Sequence, residues 1–168
     1  FAAKKSKGDN SVEDLQKRKV FVLGLDDSFP PLGFRDEKNQ IAGYDIDLAK
    51  EVAKRLGVKF KAQPIQWDAK EQELNTGKID CIWNGFTITA ERQQALSFTK
   101  AYLDNEQVVV VKANSGITKL SDLAGKKIGL QSGSSAQEAV EDSPAFKASV
   151  KSIVMFKDNL MALNDLEI

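Results

Sequence analysis

A group of hydrogen-bond donors lies between Asn84 and Arg92, directly after an apolar segment of strand length. Gly85 has no Cβ and lets a ligand approach the backbone closely, while Thr87 and Thr89 add hydroxyl groups. Arg92 falls in the first turn of a predicted short helix, for which Thr89 is a suitable N-cap. A guanidinium fork and free backbone N–H groups suit a planar carboxylate. The stretch predicts a carboxylate-binding loop; an ordinary loop followed by a solvated arginine is the alternative interpretation.

Three apolar segments of strand length alternate with two helical patterns in the first half of the chain. The strands are predicted over 19–25, 58–65 and 79–83, and the helices over 43–56 and 68–75. This order is typical of a parallel sheet with helices on its faces. Carboxyl ends of parallel strands meet at one edge of a sheet. Asp26, Phe29 and Trp67 are therefore predicted to lie beside the 84–92 loop.

A further strand is predicted over 107–112, and a break follows it at 113–116. Beyond the break a second run begins, with strands predicted over 127–130 and 151–156 and helices over 136–141 and 158–166. A turn at Gly133, Ser134 and Ser135 offers donors to an anion at a helix start, and Ser135 with Glu138 fits a capping box. A helix start without a ligand is the alternative. The predicted domains are a flexible leader over 1–16, a first lobe over 17–111 and a partial second lobe over 112–168.

The composition excludes several classes of function. Lysine and arginine total 24 and match 24 acidic residues, so no net field attracts nucleic acid or an anionic membrane. The chain has no histidine and one cysteine, Cys81, which excludes Ser–His and Cys–His catalysis and any multi-cysteine zinc site. No metal or cofactor is expected. No apolar run approaches the roughly 18 residues of a membrane span. No signal peptide is recognisable, and we therefore expect either a cytosolic protein or the mature form of an exported one.

The segment 43–48 reads GYDIDL and, with the apolar positions that follow it, resembles the signature of the bacterial extracellular solute-binding proteins of family 3. These are the polar amino-acid receptors of ABC transporters. The 26–31 loop, the 79–92 segment and the 133–135 turn fall in the family's order and spacing, and the resemblance covers 12–166. It implies an α/β fold of the periplasmic-binding-protein type II, with two lobes, mostly parallel sheets and an incomplete second lobe.

The resemblance also implies roles for individual residues. Arg92 would grip the ligand α-carboxylate together with the backbone N–H of Thr87, and the Thr87 hydroxyl and the Gly85 carbonyl would hold the α-ammonium. Ser134 and Ser135 would add the second lobe's contribution to the carboxylate. The other predicted ligand-binding residues are the aromatic bracket of Phe29 and Trp67, the polar pair of Asp26 and Asn84, and Phe86 in the central loop.

The function that the resemblance implies is non-enzymatic binding of a polar L-amino acid, by hinge closure, for delivery to a transporter permease. The expected location is extracytoplasmic, in the periplasm or as a cell-surface lipoprotein after removal of a signal peptide. Membrane contact would come only through a lipid anchor or the permease. The alternatives are a ligand-sensing domain, a truncated non-transporting fragment, or a dehydratase-like enzyme in which Asp26 or an unassigned glutamate serves as acid or base.

Members of this family continue for roughly another third of their length beyond the position of Ile168. That part is expected to hold the return crossover and an aspartate that pairs with the α-ammonium. Loss of such a charge-assisted partner would weaken binding by a few kcal/mol, roughly a hundredfold or more. A partial second lobe would also expose strand edges and invite exchange with a second copy of the chain.

Overall fold

The structure is a computed structural model that describes residues 2–4 and 10–168. Two compact units make up the chain: the first ends at Asn105 and the second begins at Glu106. Part of the predicted leader, residues 1 and 5–9, lies outside the described residues. Within the same segment the structure forms a strand, β1 (Ala2–Lys4), and begins a helix, α1 (Ser11–Arg18).

The first unit continues with strands and helices in the alternation that the sequence predicts. In chain order they are β2 (Val20–Leu25), β3 (Ser28–Phe29), β4 (Gly33–Arg35), β5 (Ile41–Ala42), α2 (Tyr44–Leu56), β6 (Lys59–Pro64), a 3₁₀ turn (Trp67–Ala69), α3 (Lys70–Asn75), β7 (Cys81–Ile82), α4 (Ala90–Ala95) and β8 (Leu96–Phe98).

The main sheet of the first unit has the strand order β6–β2–β7–β1–β8. Strand β2 pairs in parallel with β6 and β7, while β1 is antiparallel to both β7 and β8. Strands β3, β4 and β5 form a separate antiparallel sheet. The predicted parallel αβ core is confirmed, and it brings the carboxyl ends of β2, β6 and β7 to one edge.

Both faces of β2 are covered, in keeping with its continuous apolar run. Phe21, Leu23 and Leu25 pack with α1 and α2, while Val22 packs against a second cluster that includes α3. Helix α2 is followed by Gly57, which takes the left-handed conformation (φ +70°) that suits a glycine after a helix. The sheet therefore packs between helices on both faces, and loops follow the carboxyl ends of its parallel strands.

The second unit is built around a two-stranded parallel sheet. Its elements are a 3₁₀ turn (Leu120–Leu123), β9 (Lys127–Gln131), α5 (Ser135–Glu141), α6 (Pro144–Ser149), β10 (Ser152–Phe156) and α7 (Asn159–Glu167). The register of β9 against β10 runs from Lys127 opposite Ser152 to Gln131 opposite Phe156. Met155 on β10 is exposed, so this small sheet leaves apolar surface uncovered.

The strand predicted over 107–112 is wrong. This segment has no regular structure, and the side chain of Val108 is 75% exposed. A high content of valine favours a strand only where a neighbouring strand and a packed face are present. No described strand pairs with 107–112, so the valine-rich segment lacks the neighbour that a strand needs. In the described part of the chain, no helix is long and apolar enough to cross a membrane.

Candidate functional site

The central loop begins at Asn84 and Gly85, immediately beyond β7. Gly85 has a positive φ of +56°, and a Cβ at this position would lie 2.5 Å from Leu32 Cδ1 and 3.5 Å from Phe29 Cε1. The backbone N–H of Gly85 donates to the Asp45 carboxylate at 2.7 Å. The positive φ favours a glycine here, and the Leu32 side chain would have to shift to admit a Cβ. The approach of a ligand to this backbone stays a prediction.

Asp45 is a fully buried carboxylate in the first turn of α2. It accepts hydrogen bonds from Gly85 N–H and from the Tyr102 hydroxyl, the latter at 2.8 Å, and it does not cap the helix. Its position, four residues before the buried Ala49 and eight before the buried Ala53, was the available signal, because it shares their helix face.

Burial shifts the ionisation of this pair. It raises the pKa of the Asp45 carboxyl above its ordinary value, and the hydrogen bonds from Tyr102 and Gly85 oppose that rise. Burial and the neighbouring Asp45 also raise the pKa of the Tyr102 hydroxyl. The carboxylate therefore links the start of α2, the central loop and the last part of the first unit.

Arg92 lies at the start of α4 and is only 6% exposed. Thr89 is the N-cap of that helix, as predicted, and its hydroxyl accepts the Arg92 backbone N–H at 3.2 Å. The guanidinium Nη1 donates to the Thr87 carbonyl at 3.1 Å and the guanidinium carbon lies 4.6 Å from the centre of the Phe86 ring. These contacts hold the guanidinium inside the loop, which does not fit the alternative of a solvated arginine.

An aromatic cluster surrounds Phe86. Trp67 meets its ring edge-on with centroids 5.7 Å apart, and Phe98 stacks on it at 5.5 Å. The Lys70 ammonium lies over both the Trp67 and the Phe86 rings, at 5.3 and 5.9 Å from their centres. Trp67 and Phe86, both predicted ligand-binding residues, are thus brought together with Arg92. The sequence reasoning missed Lys70, for which three-residue spacing from Trp67 was the only signal.

The predicted polar pair meets at the carboxyl end of β2. The Asp26 N–H donates to Asn84 Oδ1 at 3.0 Å, and the Asp26 carboxylate accepts the Ser28 N–H at 2.9 Å. Asn84 is 2% exposed and lies against Gly33, and its Nδ2 has no hydrogen-bond partner among the described residues. The Asn84 side chain therefore fixes the backbone of Asp26 at the end of β2. Contact of either residue with a ligand stays a prediction.

Ser134 and Ser135 lie in the second unit, at the start of α5. The predicted capping box of Ser135 with Glu138 is wrong by one residue: Ser134 is the N-cap, and its hydroxyl oxygen accepts the Gln137 N–H at 3.3 Å. Gln137 in turn accepts the Gly133 N–H at 2.9 Å. Because Gln137 accepts from the residue before the N-cap and not from the N-cap itself, the pair does not form the reciprocal capping box that the sequence predicts.

Thr87 has a hydrogen-bond partner within the first unit, because Asn105 Nδ2 donates to its hydroxyl oxygen at 2.6 Å. Cys81 is fully buried among core residues, and burial raises the pKa of its thiol. Among residues 2–4 and 10–168, no group of three or more acidic, cysteine or histidine side chains is placed to hold a metal ion.

Comparison with known proteins gives a family match over most of the chain. Residues 21–164 match the model described as bacterial extracellular solute-binding proteins, family 3. The L-cystine-binding protein TcyJ of Escherichia coli (strain K12) is 32% identical over 126 residues, which cover 74% of this chain and 47% of that protein. The arginine-binding extracellular protein ArtP of Bacillus subtilis (strain 168) is 31% identical over 138 residues, or 82% and 53% of the two chains.

A solved structure shares the fold. The substrate-binding protein of an ABC uptake transporter from Streptococcus pneumoniae, with bound histidine, superposes with a TM-score of 0.91 at 41% sequence identity. The match covers 96% of this chain and 67% of that one. The chain spans about half the length of the curated relatives it matches.

Proposed function

The chain belongs to the bacterial extracellular solute-binding proteins, family 3, and on this premise we propose that it binds a polar L-amino acid for delivery to an ABC transporter permease. Cystine, arginine and histidine appear in the names of its relatives, and all three have polar side chains. What they share is the α-amino acid group, so the ligand-binding residues should first recognise that group.

The observation that carries the proposal is the buried, oriented guanidinium of Arg92. The Thr87 carbonyl and the Phe86 ring hold it in one orientation, and the N-cap at Thr89 fixes the backbone from which it projects. A guanidinium ordered before the ligand arrives loses little side-chain entropy on binding, and its planar fork matches a carboxylate. We assign the ligand α-carboxylate to Arg92.

The α-ammonium is assigned to Thr87 and Gly85. The Asn105 side chain donates to the Thr87 hydroxyl oxygen at 2.6 Å and fixes its position in the loop, and the family resemblance gives this hydroxyl to the ammonium. The Gly85 carbonyl follows directly in the loop, and its N–H is already fixed by Asp45. Ser134 and Ser135 in the second unit remain proposed carboxylate donors on the strength of the family resemblance.

The role is proposed as binding without catalysis, since the family consists of solute-binding proteins. We also propose an extracytoplasmic location, in keeping with the family description and with the extracellular relative ArtP. A permease, and attachment to the membrane through it or through a lipid anchor, are the partners that such a location implies.

A thermal melt of this chain with each of the twenty common L-amino acids at millimolar concentration tests the proposal. A ligand at a thousand times its dissociation constant adds about 4 kcal/mol to the free energy of unfolding, which is a large midpoint shift. Arg92→Ala should abolish the shift. The matched control is Arg55→Ala, whose guanidinium is exposed and pairs with Glu51, and it should keep the shift. A cooperative melt that no amino acid shifts contradicts the proposal, as does a shift unchanged in Arg92→Ala.

A further inference from the structure

The segment of chain that follows β8 and completes the first unit forms neither a helix nor a strand, yet two of its side chains are tied to the central loop. Asn105 Nδ2 donates to the Thr87 hydroxyl oxygen at 2.6 Å. The Tyr102 hydroxyl donates at 2.8 Å to the Asp45 carboxylate, which also accepts the Gly85 N–H. Thr87 and Gly85 are therefore both linked to one short segment near the end of the unit.

The two loop residues that this segment holds are those to which the proposed function gives the ligand α-ammonium. Thr87 is held directly, and Gly85 is held through a buried carboxylate. The Arg92 guanidinium, proposed for the α-carboxylate, contacts the Thr87 carbonyl and the Phe86 ring, which belong to the loop itself. The contacts made by the segment after β8 thus fall on the proposed ammonium-binding residues.

Tyr102 and Asn105 differ in how deeply they are packed. The Tyr102 ring is half-buried, stacks on Tyr44 with centroids 6.5 Å apart and meets Trp83 edge-on at 6.1 Å, so it anchors the segment. Asn105 comes three residues later and its side chain is exposed. An exposed hydrogen bond competes with water and adds little to stability. Removal of the Asn105 amide should therefore act on the position of the Thr87 hydroxyl and leave the fold intact.

We propose that Asn105 is a positioning residue for the ligand α-ammonium: its amide holds the Thr87 hydroxyl oxygen where that ammonium binds. The inference rests on the proposed function, because the ammonium is assigned to Thr87 there. A threonine side chain has alternative χ1 rotamers, and an N–H donor at 2.6 Å favours one of them. A hydroxyl that is held in place before the ligand arrives loses less conformational freedom when the ligand binds.

Amino acids and analogues that lack only the α-amino group test this proposal. The probes are L-histidine against imidazolepropionic acid and L-arginine against guanidinovaleric acid, titrated calorimetrically into the unmodified chain and into Asn105→Ala. Asn105→Ala should weaken binding of the amino acids by about threefold to tenfold and leave the affinities of the two analogues unchanged. A general disturbance of the fold would weaken both members of a pair equally. Should neither amino acid bind, the one with the largest melting shift takes their place with its own deaminated analogue.

A double variant tests the proposal without the analogues. Thr87→Val removes the hydroxyl and nearly preserves the shape of the side chain. If Asn105 acts through that hydroxyl, Asn105→Ala should cause no further loss of amino-acid affinity once Thr87→Val is present. Two independent losses that add would show that Asn105 acts by another route, and would overturn the proposal.

The matched control is Asn75→Ala, which removes an exposed asparagine side chain at the end of α3 and should leave every affinity unchanged. Without any amino acid present, Asn105→Ala should melt at the midpoint of the unmodified chain. An unchanged amino-acid affinity in Asn105→Ala overturns the proposal, as does an equal loss for an amino acid and its analogue. In both cases the unmodified chain still binds, so the proposed function stands. If no L-amino acid binds the unmodified chain, the proposed function fails and this proposal fails with it.

Discussion

The Asp45 carboxylate joins three parts of the first unit that are far apart in sequence, and its removal should be costly. It lies at the start of α2 and accepts from Gly85 in the central loop and from Tyr102 near the end of the unit. Asp45→Ala would leave the Gly85 N–H and the Tyr102 hydroxyl without this acceptor. The same substitution would relieve the burial of a charge, which works in the opposite direction.

The magnitude follows from these two effects. Each buried donor deprived of its acceptor costs about 1–3 kcal/mol, so the two donors together cost about 2–6 kcal/mol. The relief of charge burial, visible in the raised pKa of Asp45, offsets part of the larger figure. We expect Asp45→Ala to lower the free energy of unfolding by about 3–4 kcal/mol.

Urea unfolding of the single and double variants measures this value. Tyr102→Phe removes only the hydroxyl and should cost about 1–2 kcal/mol, and the double variant should show a coupling energy of at least about 1 kcal/mol with Asp45→Ala. A cost below about 1 kcal/mol for Asp45→Ala would refute the reasoning. So would strict additivity with Tyr102→Phe, because two residues that share a hydrogen bond cannot be independent.

Three further predictions concern the same unit. The pKa of Asp45 is raised in the folded chain, so protonation of this carboxyl favours folding. As the pH rises from below about 4 through the raised pKa, the free energy of unfolding of the unmodified chain should fall relative to that of Asp45→Asn. Urea midpoints measured across this pH range test the prediction, and a constant difference between the two chains contradicts it. Gly85→Ala should destabilise the chain by at least about 1 kcal/mol more than Gly57→Ala in thermal melts. Both glycines have a positive φ, but only Gly85 has a neighbour in the way, and equal costs would contradict the packing argument. The Cys81 thiol should not react with Ellman's reagent until urea unfolds the chain. Reaction at urea concentrations below the unfolding transition would contradict this prediction.

The order of elements in the first unit could be predicted because each one has a local signal. The apolar run before Asp26 predicts a strand, the helical pattern that stops before Gly57 predicts the end of α2, and Thr89 predicts the cap of α4. These signals depend on residues that are close in sequence, so a single sequence displays them.

The features that could not be predicted depend on partners distant in sequence. Gly85 is forty residues from Asp45, and Tyr102 is fifty-seven residues away, so the sequence shows a buried-face aspartate without showing what it binds. The 107–112 segment failed for the complementary reason: its composition favours a strand, but a strand forms only with a neighbour. The burial of Lys70 depends on a ring contributed by Phe86, which no local pattern indicates.

The most direct test of the central claim compares an L-amino acid with the amine that lacks its α-carboxylate. Titration calorimetry would use the amino acid that gives the largest melting shift, with the unmodified chain and with Arg92→Ala. The unmodified chain should bind the amine more weakly by about 3 kcal/mol, roughly a hundredfold, and this difference should largely disappear in Arg92→Ala. Equal affinity of the unmodified chain for the two compounds would contradict the assignment of the α-carboxylate to Arg92.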